Sequence, residues 1–124
     1  MALEISSTLS DDLHTLHLAL NGQLDAATAP ALESYVEEHL GGDISTLVLN
    51  LRGLSFVSSA GLRVFAKTRK LVKARNGRLC YVNLSPQVRK VFDIVKATPL
   101  SDVFASEEEL DDYLKAMQDQ VSAG

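Results

Sequence analysis

The chain has 124 residues, of which 46% are apolar and 23% charged, with a formal net charge of -4. A chain of this size can bury roughly two thirds of its unfolded surface in one core, and the composition is too apolar for a disordered tail. The acidic excess argues against direct nucleic-acid binding, whose affinity comes mainly from Lys and Arg neutralising phosphates. Cys80 is the sole cysteine, so neither an internal disulfide nor a thiolate-rich zinc site can be assembled, which fits a reducing cytoplasm. The start, MALEISSTLSDDL, lacks the basic residues and apolar block of an export signal. No uninterrupted apolar run approaches the ~18 residues of a membrane helix. A cytoplasmic protein with no membrane insertion is the expectation.

Leu3, Ile5 and Leu9 alternate with polar neighbours up to Ser10-Asp11-Asp12, which reads as an edge strand and a turn. Leu16, Leu18 and Leu20 then recur at period two, the pattern of a strand with one covered face. Asn21-Gly22 reads as a bend within or after the strand, because Gln23-Leu24 is too short for a returning hairpin strand. Leu32, Tyr35, Val36 and Leu40 predict a first helix, with Thr28 as its cap, Pro30 in its first turn and Gly41-Gly42 as its stop. The apolar run Leu47, Val48, Leu49 and Leu51 predicts a central strand buried on both faces. Arg52 to Val57 reads as a loop, followed by a second helix from about Ser59 to Arg75, closed by Asn76-Gly77. Leu79, Cys80, Tyr81, Val82 and Leu84 predict another interior strand, in which Cys80 is buried packing. A third helix is expected with Ser85 as cap, Pro86 at its first position and the stripe Val88, Val91, Phe92 and Val95, ending at Thr98-Pro99. Val103-Phe104 could add an edge strand, and Ser106 and Glu109 have the spacing of a capping box. The last predicted helix carries Leu110, Tyr113, Leu114 and Met117 on one face. Strands followed by alternating helices and strands imply an α/β fold: one domain over residues 1–124, with a mixed sheet of four to five strands flanked by about four helices.

Catalytic machinery is hard to find. His14, His17 and His39 include no pair spaced to share a helix face, so no metal site is expected. Phe56 and Val57 stand where a serine-nucleophile elbow needs glycine, and no base is placed for a serine. Neither a phosphate-binding loop ending in Gly-Lys-Ser/Thr nor a Gly-x-Gly-x-x-Gly turn is present. The expectation is a protein that is not an enzyme and has no cofactor. Two charge clusters, Arg63, Lys67, Arg69, Lys70, Lys73, Arg75 and Arg78 on and after the second helix and Glu107, Glu108, Glu109, Asp111 and Asp112 on the last, read first as solvated faces with favourable dipole placement. The basic cluster could alternatively dock an acidic partner.

The informative segment is FVSSAGLRVF, Phe56 to Phe65. A central strand followed by a helix that opens on Ser-Ser places two hydroxyls at the carboxyl edge of the sheet, where α/β folds commonly carry their sites. On residues alone, Ser58 or Ser59 is first of all a helix cap, with Gly61 allowing close packing.

Gly22-Gln23-Leu24-Asp25, LVLNL, SSAGL and LSPQVRKVFDIV, in that order, make the whole chain resemble the STAS family, which includes bacterial anti-anti-sigma factors. The resemblance implies a mixed sheet flanked by helices and a phosphorylatable residue at the start of the second helix, here Ser59, with Ser58 as the alternative. Many members carry Asp immediately before the acceptor, where this chain has Ser58, so a second hydroxyl competes and a fixed charge is missing. The implied partners are an anti-sigma factor that is also a serine kinase with a histidine-kinase-like ATPase fold, and a metal-dependent serine phosphatase. The unphosphorylated form would bind the anti-sigma factor and free a sigma factor. Asp25, Thr28, Ser58, Ser59, Ala60, Leu62 and Arg63 are the expected contact residues, although Asp25 and Thr28 could instead organise the first helix, Leu62 could be core and Arg63 could be solvated. STAS-like domains also accompany anion transporters and lipid-transport ATPases, so the alternative is an accessory subunit of such an ATPase or a regulatory module for an anionic ligand.

Overall fold

In the computed structural model residues 3–95 and 103–104 are described, and the opening alternation becomes an antiparallel pair, β1 (Leu3–Leu9) against β2 (Thr15–Leu24). Leu16, Leu18 and Leu20 are buried on one face of β2, and His17 and Ala19 are half-buried on the other. The turn between the strands is closed by Asp12, whose carboxylate accepts hydrogen bonds from the Ser10 hydroxyl and the His14 amide. Those two bonds, the hydroxyl's first, hold its carboxyl below the usual aspartate range.

Leu13, in the same turn, is left-handed at φ 65° and 59% exposed. A leucine pays a steric penalty there for little burial in return, whereas asparagine tolerates the conformation. Among the described residues the other two left-handed non-glycine positions are asparagines, Asn76 and Asn83. Leu13→Asn is therefore expected to raise stability by about 0.5–1 kcal/mol, read as an increased denaturant midpoint at constant slope.

After β2 the chain alternates: α1 (Ala29–His39), β3 (Thr46–Val57), α2 (Ser59–Ala74), β4 (Arg78–Val82), α3 (Pro86–Val95) and β5 (Val103–Phe104). Sheet order follows chain order, β1-β2-β3-β4-β5, with β2 to β5 mutually parallel. Crossovers of one hand between successive parallel strands put their helices on the same side of the sheet. The core agrees: Leu32 and Val36 from α1, Val64, Phe65 and Val72 from α2, and Val88 and Phe92 from α3 join the leucines of β2 and β3 in one cluster. Phe65, Tyr81 and Phe92 form an edge-to-face trio, with centroids 5.3 to 5.9 Å apart, that ties α2 and α3 to β4. Val48, Cys80 and Val82 form a second buried cluster on the opposite face, so β3 and β4 are covered on both sides as expected.

Two boundaries differ from the sequence reading. The segment Arg52 to Val57 is not a loop but the second half of β3. Its partner is the tail of β2, which continues past the Asn21-Gly22 bend through two register shifts and pairs Gln23 with Phe56 and Leu24 with Val57. The bend therefore lies within the strand, one of the two placements the sequence allowed. Gly53 permits this approach, since a Cβ there would fall 1.8 Å from the Asn21 side-chain oxygen and 3.1 Å from the Leu20 carbonyl. Finally, β4 stops at Val82, and Leu84 lies beyond left-handed Asn83, whose side-chain Nδ2 donates to the side-chain Oδ1 of Asn50. The predicted last helix and its acidic cluster lie outside the described residues.

Part of the basic cluster is structural. Arg75 donates to the carbonyls of Leu40 and Gly42, both at 2.8 Å, closing the C-terminal end of α1 that the two glycines follow. Lys67 pairs with Glu33 on α1, which raises the Lys67 pKa. Arg63, Lys70 and Lys73 are exposed.

Candidate functional site

Two neighbouring parallel strands end side by side, at the paired residues Leu24 and Val57. Each then turns into a helix, so the loop 25–28 before α1 and the Ser58 junction before α2 share the carboxyl edge of the sheet. They are fastened together: the Ser58 amide donates to the Leu24 carbonyl at 2.8 Å. Gly61, one turn into α2, seats directly on Leu24, and a Cβ there would come within 2.7 Å of the Leu24 Cγ. A bare backbone at residue 61 is what lets the helix start come so close.

Within that junction the two serines divide the work. Ser58 is the helix cap, extended at φ -90° and ψ 175°, with its Oγ accepting from the Gly61 amide at 3.3 Å. Ser59 is the first residue of α2 and is exposed, and its hydroxyl makes no hydrogen bond among the described residues. No acidic residue lies in the first turn. The helix start therefore presents free amide dipoles to an anion, with no carboxylate of its own turn opposing it. Arg63, exposed, follows one turn later.

Asp25 and Thr28 shape the adjoining loop. The Asp25 carboxylate accepts from the amides of Ala27 and Thr28 at 2.9 and 3.1 Å. Thr28 is 8% exposed; its hydroxyl accepts from the Asp25 amide and donates to the Gln23 carbonyl at 2.8 Å. It occupies the cap position of α1 without a side-chain capping bond, a departure from the expected cap. The reason is competition, since the same hydroxyl is already committed backward to the end of β2. Ala60 and Leu62 are half-buried and pack against the core, so they offer edges rather than whole side chains.

One large apolar side chain exposed at this edge was not among the expected contacts. Phe56, the last but one residue of β3, is 49% exposed at this same edge. Its signal in the sequence was an aromatic lodged between Ser55 and Val57, hidden because the segment read as a loop. Among the described residues no cluster of metal-ligating side chains occurs, and no helix is long and apolar enough to cross a membrane.

Residues 6–110 match the family model for the STAS domain. The chain belongs to the STAS family. A STAS relative, the anti-sigma-B factor antagonist of Bacillus subtilis, is 28% identical over 106 residues, covering 86% of this chain and 96% of its own. The anti-sigma F factor antagonist of Lysinibacillus sphaericus is 29% identical, covering 83% and 88%. Among solved STAS structures, the anti-sigma factor antagonist SpoIIAA in its unphosphorylated form superposes with a TM-score of 0.75 at 26% identity, covering 93% of this chain and 97% of that one. Bacillus SpoIIAA in its phosphorylated form superposes at 0.68 and 25% identity, covering 91% and 99%. The mixed α/β architecture is thus that of SpoIIAA.

Proposed function

We propose that the chain is an anti-sigma factor antagonist whose binding is switched by phosphorylation of Ser59. The observation that carries the reading is the division of labour between the serines: Ser58 supplies the cap while Ser59 stands exposed with its hydroxyl uncommitted among the described residues. A phosphate on Ser59 adds about 1.5 to 2 negative charges, yet leaves the capping bond in place. At the start of a helix the dipole and free amides favour an anion by ~0.3–1 kcal/mol. Modification therefore need not disturb the fold. The relative SpoIIAA, solved in both forms, supports this separation of folding from signalling.

In this reading the unphosphorylated chain docks its helix start on an anti-sigma factor and frees a sigma factor. Asp25, Ser58, Ser59, Ala60, Leu62 and Arg63 form the contact, with Thr28 beneath holding the loop. The partner's own kinase activity, on a histidine-kinase-like ATPase fold, then phosphorylates Ser59. A charge set into a complementary interface is desolvated or meets a like charge, and the complex separates. A metal-dependent serine phosphatase restores binding.

The test is incubation with ATP and the purified candidate anti-sigma factors of the organism, mapping phosphate by mass spectrometry and binding by calorimetry. Ser59→Asp is expected to weaken binding roughly a hundredfold, while Ser59→Ala keeps binding and incorporates no phosphate. Unchanged affinity for both variants, or phosphate at Ser58 alone, would sink the reading.

A further inference from the structure

Among the described residues four large apolar side chains are exposed: Leu9, Leu13, Phe56 and Leu71. Leu9 and Leu13 belong to the β1–β2 turn region, at the opposite end of β2 from Leu24, and Leu71 lies in the second half of α2. Phe56 alone sits at the carboxyl edge, two residues before the cap Ser58 and three before Ser59.

Its exposure follows from how β3 ends. Leu47, Val48, Leu49, Leu51, Leu54 and Val57 are all at most 5% exposed, so Phe56, the largest apolar side chain of the strand, is the one the fold leaves out. The register shifts that extend β2 as far as Leu24 set this orientation. Val57 and Leu24, paired, enter the helix-side core, and Phe56 and Gln23, paired, fall on the other face. Register irregularities at the end of a strand commonly re-aim a side chain in this way. Single exposed apolar residues are ordinary on protein surfaces. An aromatic ring is different at the rim of a charged, hydroxyl-bearing site, because such rings supply most of the binding energy where interfaces have a desolvated centre.

We infer that Phe56 is the apolar anchor of the anti-sigma factor interface, inserted into an apolar pocket of that partner beside the groups that sense Ser59. The inference rests on the proposed function and adds a division within it. Phe56 supplies affinity that is insensitive to modification, and Ser59 supplies the charge that cancels it. Gln23, paired with Phe56 and leading into the Asp25 loop, lies at the border between the two.

The experiment measures the affinity of the wild type, Phe56→Ala, Phe56→Leu, Ser59→Asp and Leu71→Ala for each purified anti-sigma factor of the organism by calorimetry, with a thermal melt of every variant. Phe56→Ala is expected to weaken binding roughly thirtyfold and Phe56→Leu only about threefold, with Leu71→Ala within about twofold of wild type. Because the ring is half exposed, both Phe56 variants should melt close to the wild type, and Phe56→Leu carries the test if Phe56→Ala does not fold. Wild-type affinity in both Phe56 variants, with Ser59→Asp impaired, overturns the anchor and leaves the switch standing. Loss in the Phe56 variants with Ser59→Asp unimpaired upholds the anchor and overturns the switch. Failure of every anti-sigma factor to bind the wild type overturns both.

Discussion

Phe65→Ala is expected to lower stability by about 3–5 kcal/mol and the melting temperature by roughly 10–20 °C. Phe65 is 1% exposed and makes edge contacts with both Tyr81, at 5.5 Å, and Phe92, at 5.9 Å. Truncation removes a large buried side chain, leaves a cavity between α2, β4 and α3, and deletes two aromatic pairs that are each worth about 0.5–1.5 kcal/mol beyond their area. Against a total stability of about 5–15 kcal/mol this is a large fraction. Phe65→Leu, which keeps most of the volume, should cost less than half as much. Equal melting temperatures for Phe65→Ala and the wild type would show that the trio does not tie the helices to the sheet.

That trio was only partly legible in the sequence. Phe92 lay on a clear helical stripe and Tyr81 in an apolar strand, but nothing local says that residues so far apart in the chain share one contact. The periodic elements were readable because burial imposes its period on the sequence: Leu16, Leu18 and Leu20 report a covered face, and the run from Leu47 to Leu51 reports a doubly covered strand. The end of β3 was not readable, because two register shifts break its alternation and place Ser55 and Phe56 outside between buried Leu54 and Val57. Phe56 was missed with it. At the site, the Ser-Ser pair and its position were legible, and the assignment of the cap to Ser58 was not. Either hydroxyl can cap, and the choice falls to the residue whose amide the Leu24 carbonyl fixes. Thr28 shows the same limit from the other side: its type suits a cap, while its partners are behind it in Gln23 and Asp25.

Gly61→Val is expected to damage stability and the proposed switch together, with a loss of about 3 kcal/mol and, if Ser59 is the acceptor proposed above, a strong reduction of phosphate incorporation there. The overlap is specific, since a Cβ at residue 61 would meet Leu24 Cγ at 2.7 Å, its Cδ2 at 2.8 Å and its carbonyl oxygen at 3.2 Å. The carbonyl cannot retreat, because it accepts the Ser58 amide that aligns the helix start. Relief must therefore come from moving the helix start outward, which carries Ser59 away from the Asp25 loop and loosens the cap. Gly61→Ala isolates the cause: helix propensity alone would make it stabilising by up to about 1 kcal/mol, so a net loss measures the clash. Leu24→Ala removes the Cγ and Cδ2 obstacles while leaving the carbonyl. On its own it should cost about 2–5 kcal/mol, and combined with Gly61→Ala it should cost less than the sum of the two. Strict additivity would mean that residues 24 and 61 do not press on one another. The same pair of contacts would then no longer explain why the serine-bearing end of α2 is held against the end of β2, the geometry on which the proposed modification at Ser59 relies to act on a surface that includes the neighbouring loop.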